Sequence, residues 1–250
     1  TIPEGVTSIG YKITDSALNL VEISIPSTLT KSEAVNRIIF NNPRVTRIDV
    51  SLQNPDYSSV DGVLFNKDKT ILERFPEGKD ASAWIIPGGV TSIGEYAFAY
   101  VNSLIKLQIP EGVLSIPANI ADSAQNLKEV VLPSTVALGR NYGNGADAIY
   151  YFLFNNPLWE RITVAANNPY YKSVDGVLYN KDATTLLRFP EGKNVNGWSM
   201  PSTVKTIGQD AFAKVSSLTT FEIPEGVNDV DFGIAPWSSN LTEIFIPSTT

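Results

Sequence analysis

The sequence predicts a repeat solenoid, one β-rich coil whose successive turns stack on each other. Units of one length open at Ile2, Ile86, Ile109, Met200 and Ile223, each as Ile/Met-Pro with Val four residues on. The step from Ile86 to Ile109 sets a period of 23 residues. A longer period lies over it: NPDYSSVDGVLFNKDKTILERFPEGK (54–79) returns as NPYYKSVDGVLYNKDATTLLRFPEGK (168–193), 114 residues later. Ala97-Phe98 returns at Ala211-Phe212 with the same offset. Self-similarity at a fixed period of about 20–50 residues marks units that bury their apolar faces only by stacking.

The units divide as residues 2–24, 25–50, 51–85, 86–108, 109–131, 132–164, 165–199, 200–222 and 223–245. In a regular unit, 104–109 alternates apolar and polar, the pattern of a strand with one buried face. Pro110 then fixes φ at the first central position of a turn, and Gly112 follows where type I turns favour glycine. The same corner carries Pro-Glu-Gly at 3–5 and 224–226, with Pro-Ser-Thr and Pro-Gly-Gly as variants. Residues 113–116 read as a second short extended segment, and Ala97-Phe98 as a short helical or 3-10 return.

In the unit 25–50 an Asn41-Asn42-Pro43 corner leads into the strand 45–50. In the first long unit, Asp61-Gly62 between valines is the strongest hairpin signal in the chain. Segments 63–65 and 70–75, joined through 66–69, read as a further hairpin, so two hairpin inserts are expected, one per long period. Asp61, Asn66 and Asp68 lack the alternation, central Gly and Glu at position twelve of an EF-hand, which leaves a structural turn as the reading over a calcium loop. The unit 132–164 carries a glycine-rich insertion around 139–145, with Tyr142 within it and Tyr150 and Tyr151 after it. It reads as a tolerated surface loop or as a contact loop.

The pattern LxxLxIPxxVxxIGxxAFxxVxxL, carried by 86–108 and its relatives, resembles the BspA-like leucine-rich-repeat proteins, also called the Treponema-pallidum-type repeat. The resemblance covers essentially the whole chain, and the SVDGVLxNKD…LxRFPEGK unit is similar to inserts in that family. It implies a right-handed leucine-rich-repeat coil with a parallel sheet on one face. It also implies a bacterial surface protein, as members typically are, and adhesion to host matrix proteins, in which some are implicated. Two departures stand out. Val101 and Val215 occupy a position where the family often carries Cys, and the units at Ile2, Ile109 and Ile223 carry Ile13-Thr14, Ile120-Ala121 and Ile234-Ala235 in place of Ala-Phe.

Composition narrows the function. With no His and no Cys, Ser-His and Cys-His triads, disulfides and the usual zinc sites are excluded. There is no GxxxxGK[ST] or GxGxxG, so no phosphate-cradling loop and no cofactor are expected. A net charge of −7 and a pI near 4.7, without a basic run, argue against nucleic acid and anionic membrane. No apolar run approaches the roughly 18 residues that span a bilayer. The chain opens and closes in the same phase of the repeat, so it reads as a slice of a longer, extracellular protein, expected to be monomeric.

In each turn the strand's third and fifth residues are expected to face outward. The third column is Glu22, Arg47, Ala83, Lys106, Glu129, Arg161, Gly197, Thr220 and Glu243. The fifth is Ser24, Asp49, Ile85, Gln108, Val131, Thr163, Ser199, Glu222 and Phe245. At about 4.8 Å between strands, Glu22 is expected to pair with Arg47 and Glu129 with Arg161. From these columns Glu22, Arg47, Asp49, Ala83, Lys106, Gln108, Glu129, Arg161, Thr163, Thr220 and Glu222, with Tyr142, are the candidate ligand contacts. Ala83, Gly197 and Ser199 are expected to leave a low area in each long period. Glu222 and Glu243 stand on adjacent rungs, but on an open sheet with nothing to raise either pKa, so catalysis is not expected. Two readings result: a surface module that binds protein, or a carbohydrate-binding or purely structural segment. No aromatic row runs along the columns, which weighs against sugar.

Overall fold

The computed structural model describes residues 1–30, 35–137 and 153–246. It is a β-solenoid with almost no helix, and its strands are numbered β1–β16 in chain order. The first face holds three parallel ribbons. β1 (Glu22–Ile25) pairs with β2 (Arg47–Val50); β7 (Lys106–Gln108) pairs with β8 (Glu129–Leu132) and that with β9 (Arg161–Val164); β14 (Thr220–Glu222) pairs with β16 (Glu243–Phe245). Alternation explains these strands: Ile23, Ile48, Leu107, Val130, Ile162 and Phe221 are buried between exposed or half-buried neighbours.

The sheet is interrupted where the long units fall. There β3 (Tyr57–Val60), β4 (Val63–Asn66) and β5 (Ile71–Arg74) run antiparallel, and β5 passes to the second face to pair in parallel with β6 (Ser92–Ile93). The second copy is β10 (Tyr171–Val174), β11 (Val177–Asn180) and β12 (Thr185–Arg188), followed by β13 (Thr206–Ile207) and β15 (Asp229–Val230). Asp61 and Gly62 both take positive φ, 52° and 75°, as the tight turn between β3 and β4 requires. The turn docks on β2: the Ile48 amide donates to the Gly62 carbonyl at 2.8 Å. A Cβ on Gly62 would lie 3.1 Å from the Arg47 Cα.

Three local expectations are corrected. The Pro-Glu-Gly corner is offset by one residue: Val6 donates to Pro3 and Val113 to Pro110, so proline is the first turn residue. Gly5 and Gly112 then fall at the third, with φ of 93° and 96°, the left-handed position of a type II turn. The Ala97-Phe98 return is a run of turns, not helix. Ala97 donates to Gly94, Ala99 to Tyr96 and Val101 to Phe98, while Tyr96 and Tyr100 sit at φ 60° and 61°, which stops a right-handed helix. Among the described residues the one 3-10 helix is Val35–Arg37. Residues 113–116 form no strand; the second ladder forms instead at β6, β13 and β15.

Successive corners are stapled by side chains. The Glu4 carboxylate accepts from the Ser27 amide at 3.0 Å and hydroxyl at 2.8 Å, which hold it below its ordinary pKa. The Gly5 amide donates to Thr28 Oγ1 at 3.0 Å. Glu111 and Gly112 meet Ser134 and Thr135 in the same way. Pro-Glu-Gly on one turn thus answers Pro-Ser-Thr on the next.

Among the described residues the core is not one continuous interior but three clusters meeting at the inserts. Leu64 packs with Ile23, Ile48 and Val45, while its neighbours Val63 and Phe65 pack with Phe75, Phe98 and Leu107. In the second copy Leu178 joins that middle cluster, and Val177 and Tyr179 join Phe189 and Phe212. Strands β4 and β11 are therefore walls, buried on both faces, and their period-2 alternation serves two cores at once.

Candidate functional site

The outward residues of the first face fall into three patches. On β1–β2 Glu22 lies opposite Arg47 and Ser24 opposite Asp49. The expected Glu22–Arg47 pair gives way to one within the strand. Arg47 binds Asp49 through Nε at 3.1 Å and Nη2 at 2.7 Å, because residues two apart share a face and the guanidinium fork matches a carboxylate. Across the adjacent recess of about 540 Å³, Lys79 binds Asp61 of the hairpin turn at 2.9 Å.

The middle ribbon is the most ordered charge array. Lys106, Glu129 and Arg161 stand in register, as do Gln108, Val131 and Thr163. The expected partner of Glu129 is replaced: Lys106 Nζ lies 3.1 Å from its carboxylate and the Thr163 hydroxyl donates to it at 2.9 Å. Burial works to raise the Glu129 pKa, but Thr163, Lys106 and the charge of Arg161 outweigh it and hold the carboxyl below its ordinary range. The third patch sets Thr220 opposite Glu243 and Glu222 opposite Phe245, so the two glutamates are diagonal neighbours on open strands. Tyr142 lies outside the described residues.

Ala83 does not join the array. Residues 82–85 and 196–199 form no strand, although Ala83, Ile85, Gly197 and Ser199 are exposed. The Ala81 amide is held by the Ser103 hydroxyl at 3.0 Å, and that of Val195 by Ser217 at 3.2 Å, after which the chain departs from the ladder. The result is a gap beside β7 and another beside β14. The first encloses about 250 Å³ over Trp84, Phe98 and Leu104. The second encloses about 560 Å³ over Trp198, Phe212 and Leu218, with Ser199 where the first has Ile85. Trp84 and Trp198 were not read as site residues, although their spacing of one long period was a visible signal.

Sequence reasoning also passed over the buried ions of the RFPEGK motif. Arg74 and Arg188 are fully buried and pair with Glu77 and Glu191 at 2.6 and 3.1 Å. Arg74 further donates to the carbonyls of Ile39 and Ala99, and Arg188 to those of Asp210 and Ala213. Glu191 accepts the Asn156 amide at 2.7 Å. Arg188 also donates to the Leu153 carbonyl at 3.4 Å, so each arginine ties the return corners of two other turns together through its terminal nitrogens, while both Nε atoms are buried without a hydrogen-bond partner.

No curated protein matches the chain. Two solved structures share its fold. One is a leucine rich cell surface protein from Faecalibacterium prausnitzii A2-165, with a TM-score of 0.51 and 21% identity over 96% of this chain and 64% of that one. The other is a leucine-rich repeat protein from Eubacterium ventriosum, with a TM-score of 0.50 and 19% identity over 98% of this chain and 58% of that one. The chain spans less than two thirds of the length of either. The model of the BspA type leucine rich repeat region matches residues 69–158 and 188–250, in six copies. The model covers more than half of the chain, which therefore belongs to the BspA type leucine-rich repeat family.

Proposed function

We propose that the chain is a non-catalytic binding module of a bacterial surface protein, and that it recognises protein partners, host matrix or surface proteins among them, through the first face. The observation that carries this is the Lys106–Glu129–Arg161 row, with Thr163, held in register on an open ribbon. Strands fix the spacing of these groups, so little ordering entropy is lost when a partner docks. The family, and the description of the similar structure from Faecalibacterium prausnitzii as a cell surface protein, support the location. Among the described residues no helix is long and apolar enough to cross a membrane.

A screen against immobilised matrix proteins and glycans tests the reading. Saturable binding to a protein is expected, lowered at least about tenfold (roughly 1.4 kcal/mol) by joint reversal of Arg47, Lys106 and Arg161 to Glu, with the melting temperature retained. Glycan-only binding, or equal binding by the reversed variant, overturns it. One observation favours glycan as the second reading: Trp237, 63% exposed, stands edge-on to Phe154 beside Gln125, Asn155 and Lys214 in a recess of about 340 Å³.

A further inference from the structure

We infer that an extended segment of a partner adds to the coil as a strand at the gaps beside β7 and β14. This rests on the protein-binding reading and specifies what part of the protein is bound: backbone in the β conformation.

The backbone bonds of β7 set the argument. Glu129 donates to the Ile105 carbonyl at 3.3 Å and Ile109 to the Val131 carbonyl at 3.0 Å, so the odd-numbered residues turn their backbone groups toward β8. Lys106 and Gln108 therefore turn theirs toward the gap, since groups alternate along a strand. Across the gap 82–85 is not a strand, and among the described residues no backbone group bonds those of Lys106 or Gln108 on that side. The second gap repeats this. Thr242 donates to Thr219 at 2.8 Å and Ile223 to Phe245 at 3.0 Å, which leaves the amides and carbonyls of Thr220 and Glu222 facing the opening.

A row of unpaired amides and carbonyls is a template for another chain. Its complement is an extended backbone, the one polymer that presents donors and acceptors at the same repeat. Side chains of an added strand would alternate, one toward the tryptophan-floored recess and the next outward. Apolar residues at every second position fit that recess. The chain's charge of −7 and Glu222, exposed opposite Phe245, favour a segment that is also cationic. Lys106 does not oppose this, because Glu129 neutralises it at 3.1 Å. The larger opening and the serine at 199 make the β14 gap the stronger acceptor.

The test uses an acetylated, amidated peptide, KTVTVTVK, with two analogues N-methylated at the valines or at the threonines. Binding is expected to slow amide exchange of Thr220 and Glu222 at least about tenfold. One analogue is expected to keep its affinity and the other to lose it, because only alternate amides of a strand face the edge. Glu222→Pro removes a gap-facing amide but leaves the β16 bonds, which use Phe221 and Ile223; it is expected to melt like the parent and lose the peptide. Equal binding by both analogues, protection elsewhere, or no binding of the parent peptide at about millimolar concentration overturns the inference. If the peptide fails while charge reversal still weakens the matrix-protein signal, the gap inference falls and the face-recognition reading stands.

Discussion

Glu73 and Leu187 occupy equivalent places on β5 and β12, 114 residues apart, and only one of them can ionise. Glu73 is half-buried beside Gly94, and burial pushes its carboxyl up to about 7 from an ordinary 4.5. A carboxyl raised on folding stabilises the protein most below its unfolded pKa, and that contribution is lost as pH rises through the folded value. Denaturant titrations are expected to show the parent losing on the order of 3 kcal/mol between pH 4.5 and 8 relative to Glu73→Leu, the residue its own second copy carries. Parallel pH profiles for the two proteins would refute the assignment. At this scale the sequence was only partly legible. Register arithmetic put Glu22 opposite Arg47 and Glu129 beside Arg161, because a parallel ladder leaves no freedom in which residues align. Which charge each arginine holds was not legible. Arg47 turns to Asp49 in its own strand, and that is a rotamer choice among several carboxylates within reach.

The hairpin element reads more completely. Asp-Gly between valines fixes the turn between β3 and β4, and the apolar run 63–65 that follows it forms β4. What stayed hidden was the meaning of RFPEGK, since nothing in a linear pattern shows that a charged pair is bound for the interior. Gly78 shows why the motif tolerates little change. Its amide donates to the Val45 carbonyl at 2.7 Å, and a Cβ there would fall 2.5 Å from the Pro43 carbonyl oxygen. Gly192 stands as close to Pro157. Gly78→Ala is expected to destabilise by about 1–3 kcal/mol, read as a lower denaturation midpoint with an unchanged slope. An alanine variant as stable as the parent would mean that the corner at Pro43 is free to move. The gaps beside β7 and β14 were half legible. Small residues at 83, 197 and 199 announced low ground, but the loss of pairing did not show, since the chain leaves the ladder after Ser103 and Ser217 take the Ala81 and Val195 amides, contacts remote in sequence.

For the whole molecule, the walls at β4 and β11 divide a coil that looks uniform in its repeats. Stability in stacked repeats is a sum over units and their interfaces, so a strand that faces two clusters belongs to both. Leu64→Ala and Phe65→Ala change adjacent residues that look into different cores. Each is expected to cost roughly 2–5 kcal/mol, but in different places. By native-state amide exchange, Leu64→Ala should chiefly lower protection in β1 and β2, and Phe65→Ala in β7 and β8. Uniform loss along the chain in both variants would show that the clusters open together.

The corner staples bear on how such a chain avoids mistakes while folding. Near-identical modules invite slippage, in which one layer settles on the wrong neighbour with almost no loss of hydrophobic contact. Glu4 reaches a serine and Gly5 a threonine only when the adjacent layer is the intended one, and Glu111 and Gly112 repeat the requirement. A layer displaced by one step would set Glu4 against Ser51-Leu52-Gln53 and Glu111 against Ala165-Ala166-Asn167, neither of them a Pro-Ser-Thr corner. Matching a Pro-Glu-Gly corner to a Pro-Ser-Thr corner therefore acts as a key and keyway: it proofreads the order of assembly at the surface, where the greasy interior cannot tell one layer from the next.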